Sequence, residues 1–142
     1  MPTTTDEKSA LLRRVPLFAD LDEAALATIA GQARELEFAP GHYIVREGDI
    51  GTGFYLLLKG QVRIVQHGKQ VATRGPGEFF GELAVLDRSP RSAHVIAMEP
   101  TLCMGLASWE LDQVLERHPR VAVALLREMA RRVRVLSSGE QY

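Results

Sequence analysis

Apolar and polar positions change period twice along the chain. The first segment is helical in pattern. "EKSALLRRVPLFADL" carries apolar residues at helical spacing up to Pro16, and "DEAALATIAGQA" continues with alanine and other good helix formers. Asp22 stands where an N-cap belongs, and Gly31 where that helix can end. The middle segment switches to short runs of valine, isoleucine, tyrosine and phenylalanine divided by glycine: "HYIVREG", "GFYLLLKG", "QVRIVQ" and "KQVATRG". In "QVRIVQ", Val62 and Ile64 alternate with Gln61 and Arg63, the period of a strand with one buried face. His67-Gly68 reads as a tight hairpin turn, and Lys59-Gly60 as another. The strand pattern resumes in "AHVIAM" and "TLCMGLA". Helical spacing then returns. "SWELDQVLERH" has Ser108 as its expected N-cap, and Pro119 opens "PRVAVALLREMARRVRVLSS". Val121, Leu125, Met129, Val133 and Leu136 make an apolar stripe on that last helix, while Arg127, Arg131, Arg132 and Arg134 cover much of the rest. "SSGEQY" reads as a frayed tail.

Several short strands at regular spacing predict a barrel or sandwich rather than a βαβ sheet. A chain of 142 residues fits one domain, long enough to bury a core without disulfides or metal. The single cysteine, Cys103, excludes an internal disulfide and any cysteine-only zinc or iron–sulfur site within one chain. A formal net charge of −1 gives no global basic field, so neither nucleic acid nor a membrane surface is an expected partner. The polar start "MPTTTDEKSA" lacks a signal-peptide core, and runs such as "VAVALL" are far too short to span a bilayer. A cytoplasmic location is expected.

The chemistry concentrates in "GEFFGELAVLDRSPRSAHV", Gly77 to Val95. Its glycines, Gly75, Gly77 and Gly81, do not fit a dinucleotide fingerprint. Two other readings remain open from spacing alone. The stretch can be a connecting loop in which Glu82 and Arg91 form a surface pair of little consequence. Alternatively it is an anion cradle. "ELAVL" is long enough for one or two helical turns, whose first backbone N–H groups and dipole favour a phosphate. Arg91, returned by the Ser89-Pro90 turn, could then grip the phosphate with two parallel hydrogen bonds, with Ser92 adding a hydroxyl. Glu82 fits such a site only beside a hydroxyl donor, such as a ribose 2′-OH.

The segment "FGELAVLDRSPRSAHV" resembles the phosphate-binding cassette of the cyclic-nucleotide-binding domain, whose pattern is roughly F-G-E-[LI]-[AS] followed by P-R-[TSA]-A. Phe80, Gly81, Glu82, Leu83, Ala84, Pro90, Arg91, Ser92 and Ala93 occupy that pattern without a gap. "LFADLDEAALATIA" and "FAPGHYIVREGDIGTGFYLLLKGQVRI" are similar to the N-terminal helices and first strands of the same family. The resemblance implies one domain over residues 1–142, mainly β with flanking α-helices. Its centre is a double-stranded β-helix, a jelly-roll-like β-roll, over 33–108 with the cassette at 79–93. N-terminal helices are placed at 7–32 and two C-terminal helices at 109–137.

The resemblance also implies residue roles. Glu82 would take the ribose 2′-OH and Arg91 the exocyclic phosphate oxygens, with backbone amides near Ala84 and Ser92 completing the phosphate shell. Leu83 and Ala84 would pack the short helix on the barrel, and Phe80, Gly81 and Ala93 complete the ligand-binding set. In related sensors the last helix folds over the base as a lid. Arg132 is the first candidate cap, with Met129, Val133 and Leu136 as apolar cover. Threonine after the cassette arginine is associated with cGMP in kinase and channel relatives. The chain has Ser92 there, so cAMP is the expected ligand and cGMP the alternative. Haem would require axial ligands from His42, His67, His94 or His118, and no cofactor is expected.

Nothing in the pattern forms a nucleophile–base pair or a phosphodiesterase metal cluster, so binding rather than catalysis is expected. The last helix is expected to end near Leu136, with nothing expected beyond it for a DNA-binding domain. A stand-alone sensor is therefore expected, acting on an effector protein or as a homodimer. The alternative is the regulatory domain of a larger protein of kinase, channel or transcription-factor type.

Overall fold

The computed structural model describes residues 4–51 and 53–136; the side chains of Leu83 and Ala84 and the tail "SSGEQY", residues 137–142, which includes the expected last helical residue 137, lie outside the described set. Helix α1 (Thr5–Arg13) starts where the Thr4 hydroxyl accepts the Glu7 N–H. A short 3-10 turn at Pro16–Phe18 leads to α2 (Glu23–Gln32), capped as expected by the Asp22 carboxylate on the Ala25 N–H at 2.8 Å. Gly31 does not end α2. The helix continues to Gln32 and stops where Ala33 turns extended, because the chain enters a strand there.

Eight strands follow: β1 (Arg34–Phe38), β2 (Tyr43–Val45), β3 (Gly53–Lys59), β4 (Val62–Gln66), β5 (Lys69–Arg74), β6 (Phe79–Phe80), β7 (His94–Ala97) and β8 (Thr101–Ala107). They form two four-stranded antiparallel sheets, ordered β1-β8-β3-β6 and β2-β7-β4-β5. Neighbours within each sheet are mostly distant in sequence, as in a jelly roll. His67-Gly68 is the expected hairpin, with both residues at positive φ as a type I′ turn requires. Lys59-Gly60 is not one. β3 and β4 belong to different sheets, and Gly60, at φ 93°, carries the chain across from one to the other. A Cβ there would lie 2.6 Å from the Pro100 carbonyl oxygen, so the corner itself requires glycine.

The sheets enclose one apolar cluster, to which β2, β4 and β7 contribute Val45, Val62 and Val95 and the facing sheet contributes Leu57, Phe80 and Cys103. Burial pushes the Cys103 thiol up to about 12. The other face of the first sheet, through Phe54, Leu56, Phe79, Met104 and Leu106, packs against Leu12, Phe18, Leu26 and Ile29 of the N-terminal segment and Leu111, Val121 and Leu125 of the C-terminal helices. β3 is thus covered on both faces, which is why "GFYLLLKG" reads as a continuous apolar run.

Helix α3 (Glu82–Asp87) lies within the cassette, and α4 (Ser108–Arg117) and α5 (Pro119–Leu136) close the fold. Ser108 is the first residue of α4 and not its cap. The cap position is Ala107, whose N–H is taken at 2.8 Å by the buried Glu110 carboxylate, which also pairs with Arg34. The stripe on α5 also differs from expectation. Val121 and Leu125 are buried and Met129 is half-buried, but the next inward residue is Arg132, while Val133 is 58% exposed and Leu136 79%. At 3.6 residues per turn, Arg132 lies about 20° round the helix from Val121 and Val133 about 120°. Among the described residues no helix is long and apolar enough to cross a membrane.

Candidate functional site

The cassette begins where β6 pairs with β3, Phe80 opposite Tyr55, with the two rings stacked at 5.1 Å. Gly81, at φ 89°, turns the chain so that α3 opens at Glu82. Arg88, at φ 59°, ends α3. The Asp87 carboxylate then accepts both the N–H and the hydroxyl of Ser89, bonds that hold its pKa below the ordinary carboxylate value. Beyond that turn Arg91 is tied to the segment after β2. The Gly48 N–H donates to the Arg91 carbonyl, and the Arg91 N–H to the Asp49 carbonyl, each at 2.8 Å.

The Arg91 side chain is buried. Its two terminal nitrogens donate to the carbonyls of Gly81 and Gly53, both at 2.9 Å. Among the described residues it has no ion-pair partner. Burial lowers its pKa, while Tyr55 and Glu82 oppose that shift; a guanidinium stays charged regardless. It forms one wall of a cavity of about 440 Å³ whose lining includes Leu36, Val45, Tyr55, Gly51 and Gly53. A buried cation held by neutral carbonyls, without a counter-ion, is electrostatically incomplete. An anion in the cavity would complete it.

Glu82 is buried as well, and its partner is on the last helix. Arg132 donates to Glu82 Oε1 at 2.8 Å, to the Phe79 carbonyl at 2.8 Å and to Glu128 Oε2 at 2.9 Å, with its guanidinium carbon 4.2 Å from the centre of the Phe79 ring. Glu128 also takes two bonds from Arg131, at 2.7 and 2.8 Å. Those bonds first, then Arg132, pull the Glu128 carboxyl down to about 2 against the opposing effect of burial. The result is a continuous chain of charges from α3 to α5.

The structure thus brings Phe80, Gly81, Glu82 and Arg91 together, but on two fronts: Arg91 faces the cavity, and Glu82 faces α5. Ser92 is exposed and Ala93 half-buried. Leu83 and Ala84 belong to α3, and their expected packing lies outside the described side chains. Met129, Arg132, Val133 and Leu136, the expected lid, are not in the lining of this cavity, and Arg132 bonds to Glu82 of the cassette. Sequence reasoning placed Glu128 on a solvated face beside the arginines and did not pair it with Arg132, although it sits four residues before it on one helix face, a readable ion-pair spacing. It also missed the part played by Gly51, Gly53 and Tyr55, which only the tertiary fold brings to Arg91.

The chain matches the cyclic nucleotide-binding domain family over residues 35–118. It is 37% identical over 101 residues to a cAMP-dependent protein kinase regulatory subunit from Yarrowia lipolytica, covering 71% of this chain and 26% of that protein. It is 36% identical over 109 residues to a cGMP-dependent protein kinase from Toxoplasma gondii, covering 77% of this chain and 11% of that one. The chain therefore spans only a small part of these relatives. Among solved structures, the catabolite activator protein of Thermus thermophilus superposes with a TM-score of 0.79 at 32% identity, over 87% of this chain and 61% of that one. With its β-roll, its cassette and its flanking helices, the chain belongs to the cyclic nucleotide-binding domain family.

Proposed function

We propose that the chain binds a cyclic nucleotide, cAMP in preference to cGMP, and acts as a regulatory sensor through α5. The observation that carries the reading is the buried Arg91 guanidinium, held open to a cavity by two carbonyls and lacking a carboxylate partner among the described residues. The cyclic phosphate supplies the missing anion, gripped by charge-assisted hydrogen bonds. Glu82 takes the ribose 2′-OH. One of its oxygens is bonded to Arg132, so ribose and α5 act on the same carboxylate. A ligand changes the position of α5 only by its different affinity for the two arrangements of that helix. Sharing Glu82 provides such a difference. The exposed apolar residues of α5, Leu126 and Val133 among them, are where an effector protein or a second copy would register the change.

Ser92 in place of threonine supports the preference for cAMP. The kinship with a cAMP-dependent kinase subunit and a catabolite activator points the same way, whereas the kinship with a cGMP-dependent kinase keeps cGMP as the alternative. In a longer protein the same module would serve as the regulatory domain. The role is binding without turnover. Calorimetric titration of the protein with cAMP and cGMP in parallel tests ligand and preference. Incubation with cAMP, followed by a search for AMP, tests the absence of turnover.

A further inference from the structure

We propose that Gly51 is a positioning residue for Arg91: its bare backbone is the platform on which the phosphate-binding guanidinium lies. The inference deepens the nucleotide-binding reading and rests on it for the role of the positioned arginine. The starting point is a glycine that local conformation does not explain. Gly41, Gly48, Gly60, Gly68, Gly77 and Gly81 all have positive φ, where a side chain is strained; Gly51 does not. Backbone geometry therefore admits alanine at position 51. The space does not. A Cβ there would lie 1.7 Å from Arg91 Nε, 2.1 Å from its Cζ and 2.3 Å from the second terminal nitrogen. The guanidinium occupies the space beside the Gly51 backbone that a methyl group would need.

The surroundings fix the rest of the side chain. Gly53 and Gly81 supply the two carbonyls that take its terminal nitrogens, at 2.9 Å each. The backbone exchange between Arg91 and the Gly48–Asp49 segment keeps the platform in register with the cassette. A substituent at Gly51 leaves these carbonyls in place and evicts the guanidinium from between them. Arg91 is the flexible partner, so it is the side chain that moves. The three nearest atoms that a Gly51 methyl would meet all belong to the Arg91 guanidinium.

Gly51→Ala should therefore reproduce the loss caused by removing Arg91, without unfolding the domain. By calorimetry, cAMP affinity should fall about 30-fold or more, close to that of Arg91→Ala. In the Arg91→Ala background, Gly51→Ala should cost nothing further, because the group it displaces is gone. Lysine has no branched head at the Nε position, so in the Gly51→Ala background Arg91→Lys should bind cAMP at least as well as arginine does, reversing the wild-type order. A ligand-free readout separates this inference from the nucleotide reading. The wild-type protein should show resolved, slowly exchanging guanidinium N–H resonances that are absent in Arg91→Lys. Gly51→Ala should lose them while the backbone amide spectrum of the β-roll is retained. If those resonances persist in Gly51→Ala, or if its cost adds in full to that of Arg91→Ala, the platform role is overturned. If they vanish but the wild-type protein binds neither nucleotide, the platform stands and the nucleotide reading fails instead.

Discussion

Arg132→Met removes the α5 side chain that bonds to Glu82 and to the Phe79 carbonyl of the cassette, and its consequences can be worked from the contacts. Methionine keeps most of the length and the apolar cover over Phe79 but loses all three hydrogen bonds. Glu82 is left as a buried carboxylate without its cation. Breaking a buried pair by removing one partner costs about 3–5 kcal/mol. The loss is local, because Glu82 recovers water when the end of α5 lifts, and Val121 and Leu125 still anchor the first half of the helix in the core. Undocking of the second half of α5 should therefore be favoured by roughly 3 kcal/mol, a factor of about 100 or more in its opening equilibrium. Native-state hydrogen exchange reads this directly. Amides between Met129 and Leu136 should exchange about 100-fold faster in Arg132→Met, while those of β3 and β8 change far less. Glu82→Gln should give a smaller increase in the same amides, since the amide oxygen still accepts one bond from Arg132. Exchange in that segment within about threefold of wild type in both variants would refute the claim that this pair holds α5 to the cassette.

Three further outcomes follow from the same geometry. The folded-state carboxyl of Glu128 is held at about 2, below its ordinary value of 4.5. A lowered carboxyl pKa gives stability that is present above the ordinary value and lost as pH falls through the lowered one. Helix α5 should therefore loosen between about pH 4.5 and 2 by hydrogen exchange, and Glu128→Gln should flatten that dependence. The 2′-deoxy analogue of cAMP should bind the wild-type protein more weakly than cAMP by about 1–2 kcal/mol and bind Glu82→Ala equally with it, whereas a penalty that survives the substitution would remove Glu82 from the ribose. Ser92→Thr should raise cGMP affinity relative to cAMP in competition binding; an unchanged ratio would place base selection elsewhere.

The β-roll was legible because its strands carry their own punctuation. Glycines and period-two runs mark β2 to β5, and Pro119 marks the opening of α5. β1 escaped separate notice because "RELEF" sets two apolar residues among three charges, and its partner β8 lies far along the sequence. Lys59-Gly60 looked like a hairpin because a positive-φ glycine between two strands has one local signature, whether the strands pair or part into different sheets. Of the site, the cassette residues were legible as a motif. The bond between Glu82 and Arg132 was not, since it joins residues 50 apart in sequence. The stripe on α5 misled in the same way: counting apolar residues favoured Val133, whereas the helix turns Arg132 inward to a buried acid that no local pattern discloses.

In the proposed reading Arg91, buried in a cavity of the β-roll with no ion-pair partner among the described residues, receives the phosphate of a cyclic nucleotide. Isothermal titration of the wild-type protein and Arg91→Ala with cAMP and cGMP tests it most directly. Removing one member of a desolvated charge contact costs about 2–5 kcal/mol. The wild-type protein should bind one cAMP per chain, more tightly than cGMP, and Arg91→Ala should lose roughly 30-fold to several thousand-fold in affinity for both. Absence of binding by the wild-type protein, or an Arg91→Ala variant within about threefold of it, would contradict the account.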